Sequence, residues 1–244
     1  MQLTPAGISL LAGCGIDAVK VFVNPRVAII TTGKELVTPG NELPSGKIYE
    51  SNSYGLAAAL LQMNIAPAAR IRTDDIESEI INAVSGLHDI DMILITGGVS
   101  VGEYDLVTGA LEKCNVTTLF HRVKQKPGKP FLFGKRGATL VFALPGNPGS
   151  AFTCFYKYVV PAIGSFNQKN LIREKNLKLG SDFKKKTGLT FFLKGKTSGS
   201  EVNILDHQDS YLMNSFAEAD CLIEMDEQRD SFLKGEVVKV SMIN

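Results

Sequence analysis

The sequence predicts a largely parallel three-layer α/β domain followed by a small all-β domain, a barrel or sandwich of about 75 residues. Three observations carry this expectation. Between residues 26 and 168, short β-rich apolar runs alternate with segments whose apolar residues recur at helical spacing. Beyond residue 169 the helical period disappears, and short β-rich runs recur between Gly, Ser, Asp and Lys. The length, 244 residues, accommodates one large domain or two modest ones.

Taken in order, residues 10–13 read as the end of a helix and 19–23 as a strand leading in, and residues 1–24 fit neither domain. Residues 26–31 form a short apolar run, the signature of a buried strand. Residues 53–61 read as a helix and 68–72 as a second strand. Residues 75–84 carry acidic side chains in what becomes a helix's first turn, where its dipole favours them. Residues 92–96 give the clearest strand; Gly97-Gly98 ends it, and 104–113 read as the next helix. Strands at 117–123 and 139–144 bracket the loop Lys126-Pro127-Gly128-Lys129-Pro130, and a helix over 150–163 closes the series. In the second domain the β-rich segments are 189–193, 201–205, 221–225 and 237–242, while 183–188, with three lysines, reads as a solvated turn.

Composition removes several classes of function. With 44% apolar and 21% charged residues the chain is an ordinary globular one and not a disordered one. Twenty-six basic residues against 25 acidic ones leave a net charge of +1, so no global field exists to hold nucleic acid or an anionic membrane. A local basic pocket remains open. The chain has no apolar run of ~18 residues, and Met1-Gln2-Leu3-Thr4-Pro5 does not start a signal peptide, so a cytoplasmic protein is expected. Cys14, Cys114, Cys154 and Cys221 are scattered without CxxC pairing, and three histidines without HExxH spacing argue against zinc.

In an open α/β sheet, ligands bind beyond the carboxyl ends of the strands. Four loops there hold the polar chemistry. The first is Thr31-Thr32-Gly33-Lys34-Glu35, the second Thr73-Asp74-Asp75, the third runs from Thr96 through Gly97, Gly98 and Ser100 to Asp105, and the fourth is Pro145-Gly146-Asn147-Pro148. Adjacent glycines after a strand let successive backbone N–H groups turn inward as an anion cradle. Alone, each loop is also what an ordinary turn looks like; together, Glu35, Asp74 and Asp105 along one rim form the oxygen-rich donor set that Mg²⁺ takes. The proline-stiffened loop with Lys126 and Lys129, preceded by Arg122, supplies the opposite charge.

The segments "PRVAIITTGKEL", "ITGGVSVGEYD", "KQKPGKPF", "ALPGNPGSAF" and "ADCLIEMDE" resemble, as a set, the MoeA-type molybdopterin molybdenumtransferases, a family that includes the C-terminal domain of gephyrin. The resemblance implies an α/β/α molybdopterin-binding domain over 25–168 and a β-barrel domain over 169–244, with residues 1–24 the remnant of a preceding domain. It implies insertion of molybdate into adenylylated molybdopterin with release of AMP, assisted by Mg²⁺, in a homodimer whose cleft is built between subunits. Two further domains precede these in the family, so a chain of this length is expected to fold and to bind ligand but to turn over slowly. Residue by residue, the family's acidic positions fall on Glu35, on Asp74 with Asp75 beside it, and on Asp105, as catalytic and metal-binding groups. Its basic positions fall on Arg122, Lys126 and Lys129, with Lys126 also catalytic. Its ligand-binding positions fall on Thr32, Gly33, Gly97, Gly98, Ser100, Pro145, Gly146, Asn147 and Ser210. Lys34, Gly149 and Asp209 depart from the family pattern. A binding-only scaffold and a nucleotide pyrophosphatase on the same α/β domain are the rival readings, and the β domain argues against the second.

Overall fold

A computed structural model describes residues 3–98 and 106–243. The chain opens with α1 (Pro5–Gly13), where the hydroxyl of Thr4 accepts from the N–H of Gly7 as an N-cap and no residue is buried. The strand expected at residues 19–23 does not form: the segment has no pairing partner among the described residues, and Val21, Phe22 and Val23 stand exposed.

The α/β domain then runs β1 (Val27–Thr32), β2 (Leu36–Val37), β3 (Ile48–Tyr49), α2 (Asn52–Gln62), β4 (Ala69–Thr73), α3 (Glu77–Ser85), β5 (Met92–Thr96) and α4 (Leu106–Lys113). It continues through β6 (Thr117–His121), β7 (Gln125–Lys126), β8 (Leu132–Arg136) and β9 (Thr139–Leu144) into α5 (Pro148–Cys154), a π-helical turn over Phe155–Val159, and α6 (Val160–Phe166). Its six-stranded sheet has the order β4-β1-β5-β9-β8-β6. The first four strands are parallel, with Thr32 opposite Thr73 and Thr31 opposite Thr96, so three strand ends lie level at one edge. The sheet is largely parallel, as expected, with antiparallel pairing at the other edge, where β8 runs against both β9 and β6. The sequence hides β8 because it reads Leu-Phe-Gly-Lys-Arg, an apolar start with a charged end, and a tight turn at Gly137 (φ +59°) folds it onto β9.

Two cores hold the three layers. On one face Val27, Ile29, Leu94 and Phe142 pack against Leu56 and Leu60 of α2 and against Ala151, Phe155 and Ile163. On the other Ala28, Ile30, Ile93 and Ile95 pack against Ile80 and Val84 of α3 and Val107 and Leu111 of α4. The inner strands are therefore buried on both faces, which is why they read as unbroken apolar runs.

The second domain comprises β10 (Glu174–Leu179), β11 (Phe183–Lys184), β12 (Thr190–Ser198), β13 (Glu201–Ile204), α7 (Asn214–Glu218), β14 (Cys221–Met225), β15 (Ser231–Phe232) and β16 (Val237–Met242). The order β13-β10-β16-β14-β12, with β12 also paired to β13, closes a five-stranded barrel around Leu177, Leu193, Val202, Ile223 and Val240. Closure removes the unpaired edges an open sheet would leave. The solvated turn expected at 183–188 is corrected at its start, since Phe183 and Lys184 pair with Phe232 and Ser231. The lysines mask the pattern, but Phe183 packs against the barrel core.

The two domains are joined by more than the chain. β7 pairs in parallel with β12. Phe152 and Tyr156 pack against the cluster of Phe216, Leu222 and Ile243. Lys157, on the π-helical turn, donates to Glu224 at 3.1 Å and to Ser241 at 3.2 Å.

Candidate functional site

At the level edge of the sheet, Thr32 ends β1 and its hydroxyl donates to Asp75 Oδ1 at 2.7 Å and to the carbonyl of Asp74 at 3.2 Å. The chain leaving β5 crosses directly above it. Gly97 has φ +96°, and a Cβ there would collide with the carbonyl oxygen of Thr32, so only glycine can make the passage. Gly98 follows at φ +62°.

These turns open onto a cleft of about 620 Å³ lined by Glu35, Gly97, Gly98 and Asn147, among others. Asn52 ties its floor together. Its amide donates to Thr96 Oγ1 and to the carbonyl of Gly146, both at 2.8 Å, while its Oδ1 is buried with no partner among the described residues. Glu50 lines the same wall and is 5% exposed. Its carboxylate accepts from the N–H of Ser53 at 2.7 Å and from the hydroxyl of Ser53 at 2.6 Å, which caps α2 in place of a side-chain cap from Ser51. The hydroxyl of Ser53 accepts in turn from Arg70 at 2.8 Å.

A second cleft, about 510 Å³, lies between the basic loop and the barrel and is lined by Lys126, Lys129, Phe183, Phe191 and Ser210 among others. Its loop is held from beneath by Gln125, 2% exposed. The Gln125 amide nitrogen donates to the carbonyl of Pro127 at 2.9 Å and to Cys154 Sγ at 3.5 Å, and its Oε1 accepts from the hydroxyl of Tyr158. Burial pushes the Tyr158 phenol up to about 12 and raises the Cys154 thiol, so both keep their protons, and Cys154 Sγ donates to the carbonyl of Gly128 at 3.7 Å. Lys126 Nζ lies 5.2 Å above the ring of Phe191, and Lys185 Nζ approaches the same ring at 5.3 Å. Desolvation lowers the Lys185 pKa.

Pro130, Ser150 and Tyr211 line both clefts, which therefore adjoin along a shared wall as a two-part groove, with glycines and carboxylates in one part and lysines in the other. The expected residues fall along it as follows. Thr32, Glu35, Gly97, Gly98, Pro145, Gly146 and Asn147 line the first cleft, with Gly33 in the turn beside them; Lys126, Lys129 and Ser210 line the second. Arg122 lines neither cleft; it sits at φ +64° with its N–H donated to the carbonyl of Phe131. Asp74 and Asp75 also line neither cleft, and the Asp74 side chain is half-exposed and turned toward Arg72 at 4.0 Å. Asp75 is the one whose carboxylate meets Thr32, because Asp74 is held by its backbone N–H on Glu79 at 2.9 Å and its side chain points outward. Ser100 and Asp105 lie outside the described residues. Among the described residues, no group of three or more His, Cys, Asp or Glu side chains is placed to hold a metal ion.

Glu50, Asn52, Gln125 and Tyr211 line the clefts without being singled out by the sequence. Glu50 and Asn52 carried a usable signal, being polar residues at the start of a helix that follows a strand. A further cavity of about 540 Å³ lies by Arg26, Asp91 and Arg136 at the opposite, amino-terminal edge of the sheet, where open α/β folds do not build their ligand sites.

The family described as "Probable molybdopterin binding domain" matches residues 28–165, and that described as "MoeA C-terminal region (domain IV)" matches residues 176–243. A molybdopterin molybdenumtransferase of Haemophilus influenzae is 33% identical over 100% of this chain and 62% of its own length. The molybdenum cofactor synthesis protein cinnamon of Drosophila melanogaster is 32% identical over 89% of this chain and 37% of its own. A molybdopterin biosynthesis MoeA protein of Pyrococcus horikoshii superposes with a TM-score of 0.85 at 29% identity, covering 100% of this chain and 61% of that one. The chain thus spans less than two thirds of the length of these relatives.

Proposed function

Because this chain belongs to the molybdopterin-binding domain family, we propose that it serves molybdenum-cofactor biosynthesis by inserting molybdate into adenylylated molybdopterin with release of AMP. The observation that carries the reading is the adjacency of the two clefts: a glycine-lined cleft shares Pro130, Ser150 and Tyr211 with a cleft bearing two lysines. A phosphoanhydride and a tetrahedral oxyanion need two such surfaces side by side, because bringing them to reacting distance is most of the catalytic task.

In this reading the turn at Gly97 and Gly98 cradles phosphate through backbone N–H groups, and Lys126 and Lys129 receive molybdate, with the hydroxyl of Ser210 as a further donor. Pro145, Gly146 and Asn147 wall the phosphate side, with Ser100 taken as a further phosphate donor from the sequence. Arg122, outside the groove, takes no direct part. The family implies Mg²⁺. The chemistry of the donor set fits it: Glu35 lines the first cleft and Asp75 stands at Thr32, both hard oxygen donors. Mg²⁺ commonly takes only one or two carboxylates beside substrate phosphates and water, so a full protein cage is not required. Glu35 and Asp75 would hold it, together with Asp105 as assigned from sequence, and when bound it supplies neutralisation of phosphate charge. Asn52 fixes the floor on which the phosphates rest, and the loop stiffened by Gln125 keeps the lysines in place. A homodimer in the cytoplasm completes the proposal.

The test is molybdate binding measured by calorimetry, with turnover followed as AMP release from adenylylated molybdopterin. Lys126→Glu should reduce molybdate affinity at least tenfold while leaving the thermal transition within a few degrees. Unchanged molybdate binding in that variant would overturn the assignment of the second cleft.

A further inference from the structure

Tyr211 stands where the two clefts meet and lines both of them. It is 64% exposed, and its hydroxyl reaches Asp209 Oδ2 at 3.4 Å. The backbone beneath it is firmly held. The carbonyl of Ser210 accepts from the N–H of Gly149 at 2.8 Å, and the hydroxyl of Ser210 accepts from the amide of Asn147 at 3.2 Å. On the barrel side the buried ammonium of Lys194 donates to the carbonyls of His207, Asp209 and Leu212 at 2.8, 3.2 and 3.4 Å. Gly149 makes the approach possible, because a Cβ at that position would stand 2.9 Å from the carbonyl oxygen and 3.3 Å from the Cα of Ser210.

A lone exposed tyrosine on a convex surface needs no explanation. Tyr211 differs in two respects: it lies on the wall of a groove, and its mount is tied to both domains. A ring on a fixed backbone has only two side-chain torsions to order, so it offers a flat, partly apolar face at small entropic cost. The groove on either side supplies what a ring-bearing anion needs, a phosphate cradle at Gly97 and Gly98 on one side and lysines on the other. We infer that Tyr211 is a specificity-determining residue whose ring stacks on the planar heterocycle, purine or pterin, of a ligand lying across the junction of the two clefts. This rests on the reading that the groove takes a phosphorylated heterocycle, and it adds which residue recognises the ring. Stacking of a nucleobase on an aromatic side chain is tolerant of ring type, so the two heterocycles share the same chemistry.

The experiment uses the 244-residue chain and its Tyr211→Ala and Tyr211→Phe variants, titrated calorimetrically with AMP, ribose 5-phosphate and a simple pterin. Tyr211→Ala should weaken the ring-bearing ligand about tenfold and leave ribose 5-phosphate unchanged, while Tyr211→Phe binds as the parent does. Loss confined to AMP assigns the purine; loss confined to the pterin assigns the pterin. If Tyr211→Ala binds AMP and pterin as the parent does, the inference is wrong although the groove reading stands. If ribose 5-phosphate weakens in parallel, the side chain acts on the shape of the groove and not on a ring, which also overturns it. A parent chain that binds neither AMP nor pterin removes the groove reading and this inference together.

Discussion

Two adjacent aspartates at the rim of the sheet have different surroundings, and activity should separate them. Asp75 accepts from the hydroxyl of Thr32 at 2.7 Å beside the glycine turn, whereas the side chain of Asp74 is directed at Arg72. Asp75→Asn should therefore lower kcat/KM for AMP release by an order of magnitude or more, and Asp74→Asn by no more than a few-fold; steady-state kinetics on both variants decides. Gln125 makes a different kind of prediction. Gln125→Leu leaves the carbonyl of Pro127 and the hydroxyl of Tyr158 without their partner in a buried place, a cost of about 2–4 kcal/mol. The thermal transition should fall accordingly, and molybdate affinity with it, since the lysine loop loses its underside. Tyr158→Phe removes one of these bonds and should cost about 1 kcal/mol. A Gln125→Leu variant with an unshifted transition would show that the buried amide contributes nothing net.

At the scale of elements, the contact between the domains passes through Gly149 and Ser210. Gly149→Val places a branched side chain against the Ser210 backbone, where the neighbour cannot give as a flexible side chain would. The expected result is a secondary-structure spectrum unchanged from the parent, with molybdate affinity reduced at least several-fold; parent-like affinity would mean that the second cleft does not depend on this approach. The elements most readily read from sequence were those whose pattern has one cause. Val27–Thr32 and Met92–Thr96 are buried on both faces and so read as plain apolar runs. Gly97 is visible because a close backbone crossing admits only glycine, and Gly98 because its φ of +62° favours it. The elements that escaped are those made by distant partners. β7 is two residues long and exists because β12 lies beside it. β11 is obscured by its lysines, and residues 21–23 have strand propensity with no strand to pair with among the described residues. The same holds within the groove: Lys126 and Lys129 stand together in one short loop that a local reading finds, whereas the backbone on either side of Tyr211 is held by Gly149, Asn147 and Lys194, far away in the chain.

For the whole molecule, two domains are locked through β7 on β12, the apolar cluster around Phe216 and the Lys157–Glu224 pair, and the proposed function requires the two adjoining clefts to take a phosphorylated heterocycle and an oxyanion at the same time. The π-helical turn over Phe155–Val159 is central to this arrangement, since it directs Tyr156 and Lys157 at the barrel and Tyr158 at Gln125. The decisive measurement is a crystal structure of the chain soaked with AMP and molybdate, with molybdenum located by its anomalous scattering. The account predicts a molybdenum peak among Lys126, Lys129 and Ser210 and the AMP phosphate at the turn of Gly97 and Gly98. Molybdenum at the amino-terminal edge, beside Arg26 and Arg136, with the groove empty, would contradict it.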